Sequence, residues 1–285
     1  MKSTIFFRYF TNLDCAYIDD NGLVCGHSQL LSCYMSGEPT AEESVVLDFS
    51  KGKKQLKAII DDVDTGLDHK LLIFEDSSNY NIEEIDGRYK IITPALEMEL
   101  PKDAVRIIPN FGYITTLVNE EMKKLYPEFN LECRIDSTTK GYTNGFGFAK
   151  YFSYSHGLKN STSYGCKNLG HGHLSFVEVI APINGTFIDC PDIAEDIADY
   201  LDKAVFINNE NIISQDKNSL TIQYETCERG FMKATYKKPH KIIILKTETT
   251  IEYIIEHVKQ KFSRKLKGKI LRISEGLQKG AEING

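Results

Sequence analysis

Residues 44–76 read SVVLDFSKGKKQLKAIIDDVDTGLDHKLLIFED, and residues 185–209 read GTFIDCPDIAEDIADYLDKAVFINN. Both pass from an apolar stretch ending in aspartate, through a turn, into an amphipathic helical pattern, and then to Leu-Asp followed by apolar residues. Asp48 matches Asp189, and Leu67-Asp68-His69 matches Leu201-Asp202-Lys203. The parallel continues downstream. AVRIIP (104–109) precedes the helical pattern YITTLVNEEMKKLYP and the strand pattern NLECRIDST, while KIIIL (241–245) precedes TTIEYIIEHVKQKF and KGKILRISEG. Leu117 and Met122 in one helix, and Ile251, Ile254, Ile255 and Val258 in the other, fall at helical spacing. Each half therefore reads as two long strands, two helices and two more strands. That order predicts an α+β chain of two ββααββ units, with antiparallel sheets and helices on one face. The Asn-Gly turn in TNGFGF (143–148) places the boundary there, giving units 1–145 and 146–285.

Bulk composition narrows the class. A chain of 285 residues, 41% hydrophobic and 26% charged, can bury a substantial core. Its net charge of −6 gives no basic footprint for nucleic acid. The run KFSRKLKGK (261–269) reads as a solvated helix end. No apolar stretch reaches the roughly 20 residues that span a bilayer, and MKSTIFFRYF lacks the features of a signal peptide. Seven scattered cysteines argue against a disulfide framework and for a reducing compartment, so the expected location is cytoplasmic.

The chemistry concentrates in FSYSHGLKNSTSYGCKNLGHGHLSFVEV, residues 152–179, which holds His156, His171 and His173 of the chain's seven histidines. His171 and His173 are two apart, so a strand points both to one face. A hairpin would bring His156, at the end of the preceding strand pattern, beside them. Three converging imidazoles make a zinc site with an open fourth position, as catalytic zinc requires. Gly172 leaves the opposite face free of a side chain. Cys166 is either a further ligand or a free thiol beside the metal, and its loop position favours the free thiol. Hydrogen-bonded or surface histidines are the alternative reading of the cluster, and no His-Glu-x-x-His helix of a zinc hydrolase is present.

These residues resemble the 6-pyruvoyl-tetrahydropterin synthase and 6-carboxy-tetrahydropterin synthase family, in which a first histidine is followed by Cys-x-x-x-His-Gly-His. Here the spacing from Cys166 to His171 is one residue longer. The resemblance implies a tunnelling fold in each half, oligomerising into a barrel as a homo-oligomer. It implies Zn2+ held by His156, His171 and His173, with Cys166, Asp68 and His69 as the catalytic triad and Glu275 as the pterin anchor. The second half lacks the family's Asp-His pair, having Asp202-Lys203. The first half has it, but carries Cys25-Gly26-His27 in place of His-Gly-His and FRYFTNLD in place of the first ligand. For the late glutamate the first half offers Asp136. The halves thus look complementary, one composite site drawing Asp68 and His69 from the first and metal, thiol and anchor from the second.

The implied substrate is 7,8-dihydroneopterin triphosphate. The implied reaction is the carbon-oxygen lyase step to 6-carboxy-5,6,7,8-tetrahydropterin, acetaldehyde and triphosphate, a precursor step toward 7-deazaguanine (queuosine) synthesis. The 6-pyruvoyl product and a non-catalytic, zinc-containing pterin-binding module remain as alternatives. A nitrile reductase of the same fold is disfavoured, since its Glu-Ser-Lys-Ser motif has no counterpart here. Among bland readings, Asp68-His69 could be a helix C-terminal pair and Glu275 a solvent-facing strand residue.

Overall fold

The computed structural model describes residues 2–42, 44–136 and 148–285. The expected boundary at Thr143–Phe148, apart from Phe148 itself, lies outside the described residues. The first half begins with the long hairpin β1 (Ser3–Ile18) and β2 (Val24–Gly37). It continues through α1 (Phe49–Asp61), β3 (Leu71–Phe74), β4 (Asn81–Ile85), β5 (Arg88–Ile92), β6 (Leu96–Pro101), β7 (Val105–Ile108), α2 (Tyr113–Leu125) and β8 (Asn130–Asp136). After the undescribed segment come β9 (Lys150–His156), β10 (His171–Ile183), β11 (Thr186–Asp189), α3 (Pro191–Leu201) and β12 (Ala204–Asn208). The chain closes with β13 (Ile212–Gln215), β14 (Ser219–Thr226), β15 (Gly230–Lys237), β16 (Lys241–Leu245), α4 (Ile251–Lys261), the short α5 (Ser263–Leu266), β17 (Ile270–Glu275) and β18 (Lys279–Asn284).

The α+β class and the mainly antiparallel pairing agree with the sequence reading, but the element order differs. Strands separate the two helices of each half, so the order is not ββααββ. The hairpin β4–β5 turns on Asp86 and Gly87, both at positive φ, the Asp-Gly signature of a two-residue turn. That signal stands in NIEEIDGRYKII and marks strands the helix-centred reading passed over. The sheets are also not wholly antiparallel. β3 joins β1 and β7 joins β3 in parallel, as β12 joins β9 and β16 joins β12. A helix lies between β2 and β3, which is what a parallel crossover needs.

Two sheets share one connectivity. The first runs β7-β3-β1-β2-β8, and the second β16-β12-β9-β10-β17, extended by β18 and by β11 against β10. Each carries its helices on one face. Leu56 and Ile60 of α1 lie one turn apart and, with Leu117, Val118 and Met122 of α2, form a core with Leu13, Leu31 and Met35. Asp48 starts α1 by accepting a hydrogen bond from Lys51 N at 2.8 Å. α3 starts with Pro191 instead. Ile197, Leu201, Ile254 and Val258 pack on Phe152, Val177 and Leu271 in the second sheet. Each such fully buried aliphatic side chain contributes about 1.5–3 kcal/mol.

A third sheet joins the halves. Its order is β13-β14-β15-β6-β5-β4, with Lys233 to Tyr236 of β15 antiparallel to Leu96 to Glu99 of β6. It covers the faces of the other sheets that the helices leave open, burying Met98, Leu100, Tyr224 and Tyr236 against Leu71, Ile73, Val205 and Ile207. The two hairpins β1–β2 and β9–β10 then meet face to face. A Cβ on Gly26 would stand 1.9 Å from Tyr154 O and 2.4 Å from His173 N, and one on Gly172 would stand 2.8 Å from Gly26 Cα. Glycine at both positions is thus a condition of the backbones approaching this closely. No helix among the described residues is long and apolar enough to cross a membrane.

Candidate metal and thiol site

The strand period and the hairpin register set the histidines. His171 lies directly opposite His156, and His173 opposite Tyr154, so all three imidazoles project from one face of β9–β10. All three are buried, at 0–1% exposure. Their remaining ring contacts settle which nitrogen carries the proton. His156 Nδ1 lies 2.7 Å from Thr249 O, and His171 Nδ1 lies 2.6 Å from Asn168 O. A carbonyl only accepts, so both Nδ1 atoms are donors and both Nε2 atoms present lone pairs. His173 Nδ1 sits 3.2 Å from Asp14 Oδ1. His156 Nε2 and His173 Nε2 are 3.1 Å apart, and His171 Nε2 is buried without a partner. Ring nitrogens of all three lie within 4.8 Å of one another.

Burial pushes the pKa of His156 down to about 3 and that of His171 well below its ordinary value. Both are therefore neutral imidazoles at physiological pH, the form that ligates metal. Lone pairs converging at a buried cluster, each ring backed by an oxygen acceptor, fit a divalent cation such as zinc and would be mutually repulsive without one.

Asp68 and His69 reach this cluster from the loop between α1 and β3. His69 takes a left-handed backbone, φ 55°, and its N–H donates to Asp14 O at 2.5 Å. Asp68 Oδ1 accepts from Asp14 N at 2.9 Å, and Oδ2 lies 2.5 Å from His69 Nδ1. The His69 ring is 5.1 Å from that of His171 and 6.1 Å from that of His173. With Nδ1 engaged by Asp68, Nε2 is left, buried and otherwise unpartnered, for Cys166. A nitrogen of His69, the Cys166 sulfur and a nitrogen of His171 lie within 4.8 Å of one another.

Cys166 occupies a 3₁₀ turn, Gly165–Lys167, rather than a strand. A Cβ on Gly165 would stand 2.8 Å from His69 Cγ, so the turn lies directly against the imidazole. Arg229, on the β14–β15 turn, holds it there by donating to Tyr164 O, Gly165 O and Asp103 O at 3.2, 3.3 and 3.0 Å. Burial alone would raise the Cys166 thiol, but the His69 imidazole beside it outweighs burial, and the net shift is downward. Burial likewise opposes charge on His69, yet the Asp68 carboxylate prevails and holds its pKa well above the usual value. Glu275 ends β17 with Oε1 4.0 Å from His173 Nε2 and Oε2 3.3 Å from Lys279 Nζ. The fold thus brings together His156, His171, His173, Cys166, Asp68, His69 and Glu275, drawn from both halves.

Two residues absent from the sequence reading belong to this group. Asp14, 3% exposed, connects His173 to the Asp68–His69 pair and is itself held by Ser28 Oγ at 2.5 Å and Asn12 Nδ2 at 2.8 Å. The signal was a carboxylate between Leu13 and Cys15 in an apolar strand, a residue type rarely buried without a partner. Asn168 is fully buried; its Nδ2 donates to His69 O and Ala104 O, both at 2.8 Å, and its own carbonyl receives His171 Nδ1.

The first half's counterpart of this site is filled. By strand register Tyr17, opposite Cys25, takes the place of His156, so the expectation that FRYFTNLD occupies the first-ligand position is corrected. His27 packs against Tyr17 and Phe111, with ring centroids 5.9 and 4.6 Å away. Asp202 and Lys203 repeat the backbone pattern of Asp68 and His69. Lys203 has φ 56°, its N–H donates to Ser153 O at 2.8 Å, and Asp202 Oδ1 accepts from Ser153 N at 2.9 Å. Register also corrects the pairing of Asp136 with Glu275. With Leu31 opposite Ile135 and Val177 opposite Ile273, Asp136 corresponds to Ser274.

No family model and no curated protein matches the sequence. Among solved structures, the chain is similar to 6-pyruvoyl tetrahydropterin synthase of Plasmodium vivax, at 21% identity and TM-score 0.39, covering 50% of this chain and 94% of that one. A catalytic-residue variant of the same enzyme gives the same values. The Plasmodium falciparum enzyme is similar at 19% identity and TM-score 0.34, over 47% of this chain and 99% of that one.

Proposed function

We propose that the chain is a zinc-dependent lyase of the tetrahydropterin-synthase type that converts 7,8-dihydroneopterin triphosphate to 6-carboxy-tetrahydropterin, acetaldehyde and triphosphate. The observation that carries this reading is the juxtaposition of three Nε2 lone pairs with an Asp68–His69–Cys166 array. His156, His171 and His173 would hold the metal, which supplies Lewis acidity toward the substrate's side-chain hydroxyls. Cys166, its thiol shifted toward the thiolate by His69, accepts a proton from the substrate side chain. His69, held charged by Asp68, carries the proton to be returned. Asp68 is fixed by Asp14 N, so the imidazole keeps one orientation through both transfers.

Descent from two fused tunnelling-fold units belongs to the same reading, supported by the shared connectivity of the two sheets and the repeated left-handed residues His69 and Lys203. So does assembly into a homo-oligomer. Ile183, Phe187 and Ile188 form an exposed apolar hairpin on β10–β11, and the sheets end in open edge strands. A monomeric mass at micromolar concentration would count against assembly.

Incubation of the zinc-loaded protein with 7,8-dihydroneopterin triphosphate, with products read by mass spectrometry, tests the reaction. 6-Carboxy-tetrahydropterin with acetaldehyde is the expected outcome. A pyruvoyl product would move the chain to the sister reaction. Intact substrate with zinc present would leave a pterin-binding module.

A further inference from the structure

Cys166 lies in a turn, so no strand register fixes its thiol, and the turn must be held by other means. Those means come from the β14–β15 hairpin. Tyr224 Oη donates to Lys167 O at 2.9 Å, Glu228 Oε2 lies 2.7 Å from Lys167 Nζ, and Arg229 donates to Tyr164 O and Gly165 O. Tyr224 and Arg229 are buried, at 3% and 5% exposure. The hairpin tip thus grips the turn on either side of the thiol.

Register explains why an arginine at this position reaches the first half. Carried four residues past Lys233 opposite Glu99, the β6–β15 pairing sets Arg229 opposite Asp103. Arg229 Nη2 lies 2.9 Å from Asp103 Oδ2 and 3.0 Å from Asp103 O, while Nη1 reaches the two turn carbonyls. Tyr164 closes the circuit. Its hydroxyl donates to the same Asp103 Oδ2 at 2.6 Å, and the guanidinium carbon stands 4.6 Å from its ring centroid. A planar guanidinium can serve all four oxygens at once, whereas an ammonium donates from a single point. None of these bonds reaches the groups behind the histidines, which are Thr249 O, Asn168 O and Asp14.

We infer that Arg229 is a positioning residue for the thiol: held by Asp103, it sets the placement of Cys166 against His69 through the carbonyls of Tyr164 and Gly165. The part this placement plays in turnover rests on the function proposed above. The sheet that joins the halves therefore also fixes the thiol, and the metal cluster has separate supports.

The test compares the full chain with its Arg229→Lys and Tyr164→Phe variants. The second keeps the ring beneath the guanidinium and loses only the bond to Asp103. Circular dichroism checks folding, and Tyr164→Phe carries the test alone if Arg229→Lys does not fold. Alkylation of Cys166 by iodoacetamide against pH, read at its peptide by mass spectrometry with Cys190 as internal reference, needs neither zinc nor substrate. In Arg229→Lys the Cys166 profile should move up by about one pH unit. The same variant should lose about 10²-fold in kcat with KM little changed, and keep wild-type zinc affinity. Tyr164→Phe should move the profile the same way by less. Profiles that stay in place in the folded variants would overturn the inference. So would zinc affinity that falls in step with kcat, the mark of general support for the fold. A wild-type protein that leaves the pterin triphosphate intact would overturn the proposed reaction, while the alkylation profiles would still decide the role of Arg229.

Discussion

Asp14 on the first strand lies 3.2 Å from His173 Nδ1 on the tenth, so a carboxylate of one half orients a metal-facing imidazole of the other. The same residue binds Asp68 through its N–H and His69 through its carbonyl. Proton-transfer pair and metal cluster are thus referenced to a single residue, and the two halves are chemically interdependent at that point. A carboxylate behind a metal-bound histidine fixes its tautomer and raises its basicity.

Asp14→Asn should therefore keep the fold and weaken zinc binding by about 10–100-fold. Chelator competition at neutral pH reads this directly. Unchanged affinity would show that His173 needs no carboxylate behind it.

Asn168→Ala should act on both sets of residues at once. It removes the donor to His69 O and Ala104 O, each lost hydrogen bond costing about 0.5–1.5 kcal/mol. The variant should lose stability in urea titration, and turnover should fall by more than zinc binding does, because the lost bonds lie on the His69 side.

The Cys166 thiol should alkylate with iodoacetamide at a pH below the ordinary thiol range, since its net shift is downward. His69→Gln removes the imidazole that produces the shift and leaves burial, which raises the pKa. The alkylation profile of that variant should move to higher pH, and turnover should fall by about 10²–10⁴ with zinc retained. A profile that does not move would detach His69 from the thiol.

Gly26→Ala should be among the most destabilising single-methyl additions in the chain. The new carbon meets backbone atoms of Tyr154 and His173, which cannot rotate away. The expected loss is about 3 kcal/mol or more, read as a lower urea midpoint. A near-neutral midpoint would mean that the sheets separate at little cost.

In the metal-free protein, acid should destabilise progressively. His156 has a folded pKa of about 3, and that of His171 is also depressed. Below pH ~6.5 the unfolded state binds protons that the folded state refuses, so stability falls as pH drops, by about 1.4 kcal/mol per unit for each histidine over that window. Zinc should delay the fall, and urea titrations at stepped pH, with and without zinc, measure it.

The sequence by itself determined the local chemistry. The two-residue period put His171 and His173 on one strand face, and helical spacing placed α2 and α4 within a few residues of their observed limits. The internal parallel showed in Asp68-His69 and Asp202-Lys203, because a left-handed residue after the helix turn recurs in both halves. What sequence periodicity could not show was the packing of strands distant in the chain. The β6–β15 pairing that joins the halves leaves no local signature, and neither does parallel addition of β3 and β12. Asp14 read as one strand carboxylate among many until the crossing at Gly26 and Gly172 carried β1 onto the histidine face. Glu275 was singled out in sequence only as the late strand glutamate that the resemblance implies as an anchor; its 4.0 Å approach to His173 depends on a glycine turn pressed against Asn12 and Asp14. Ligand chemistry follows from residue type and strand period, both local. Which carboxylate stands behind which imidazole follows from long-range packing, and only the tertiary structure decides it.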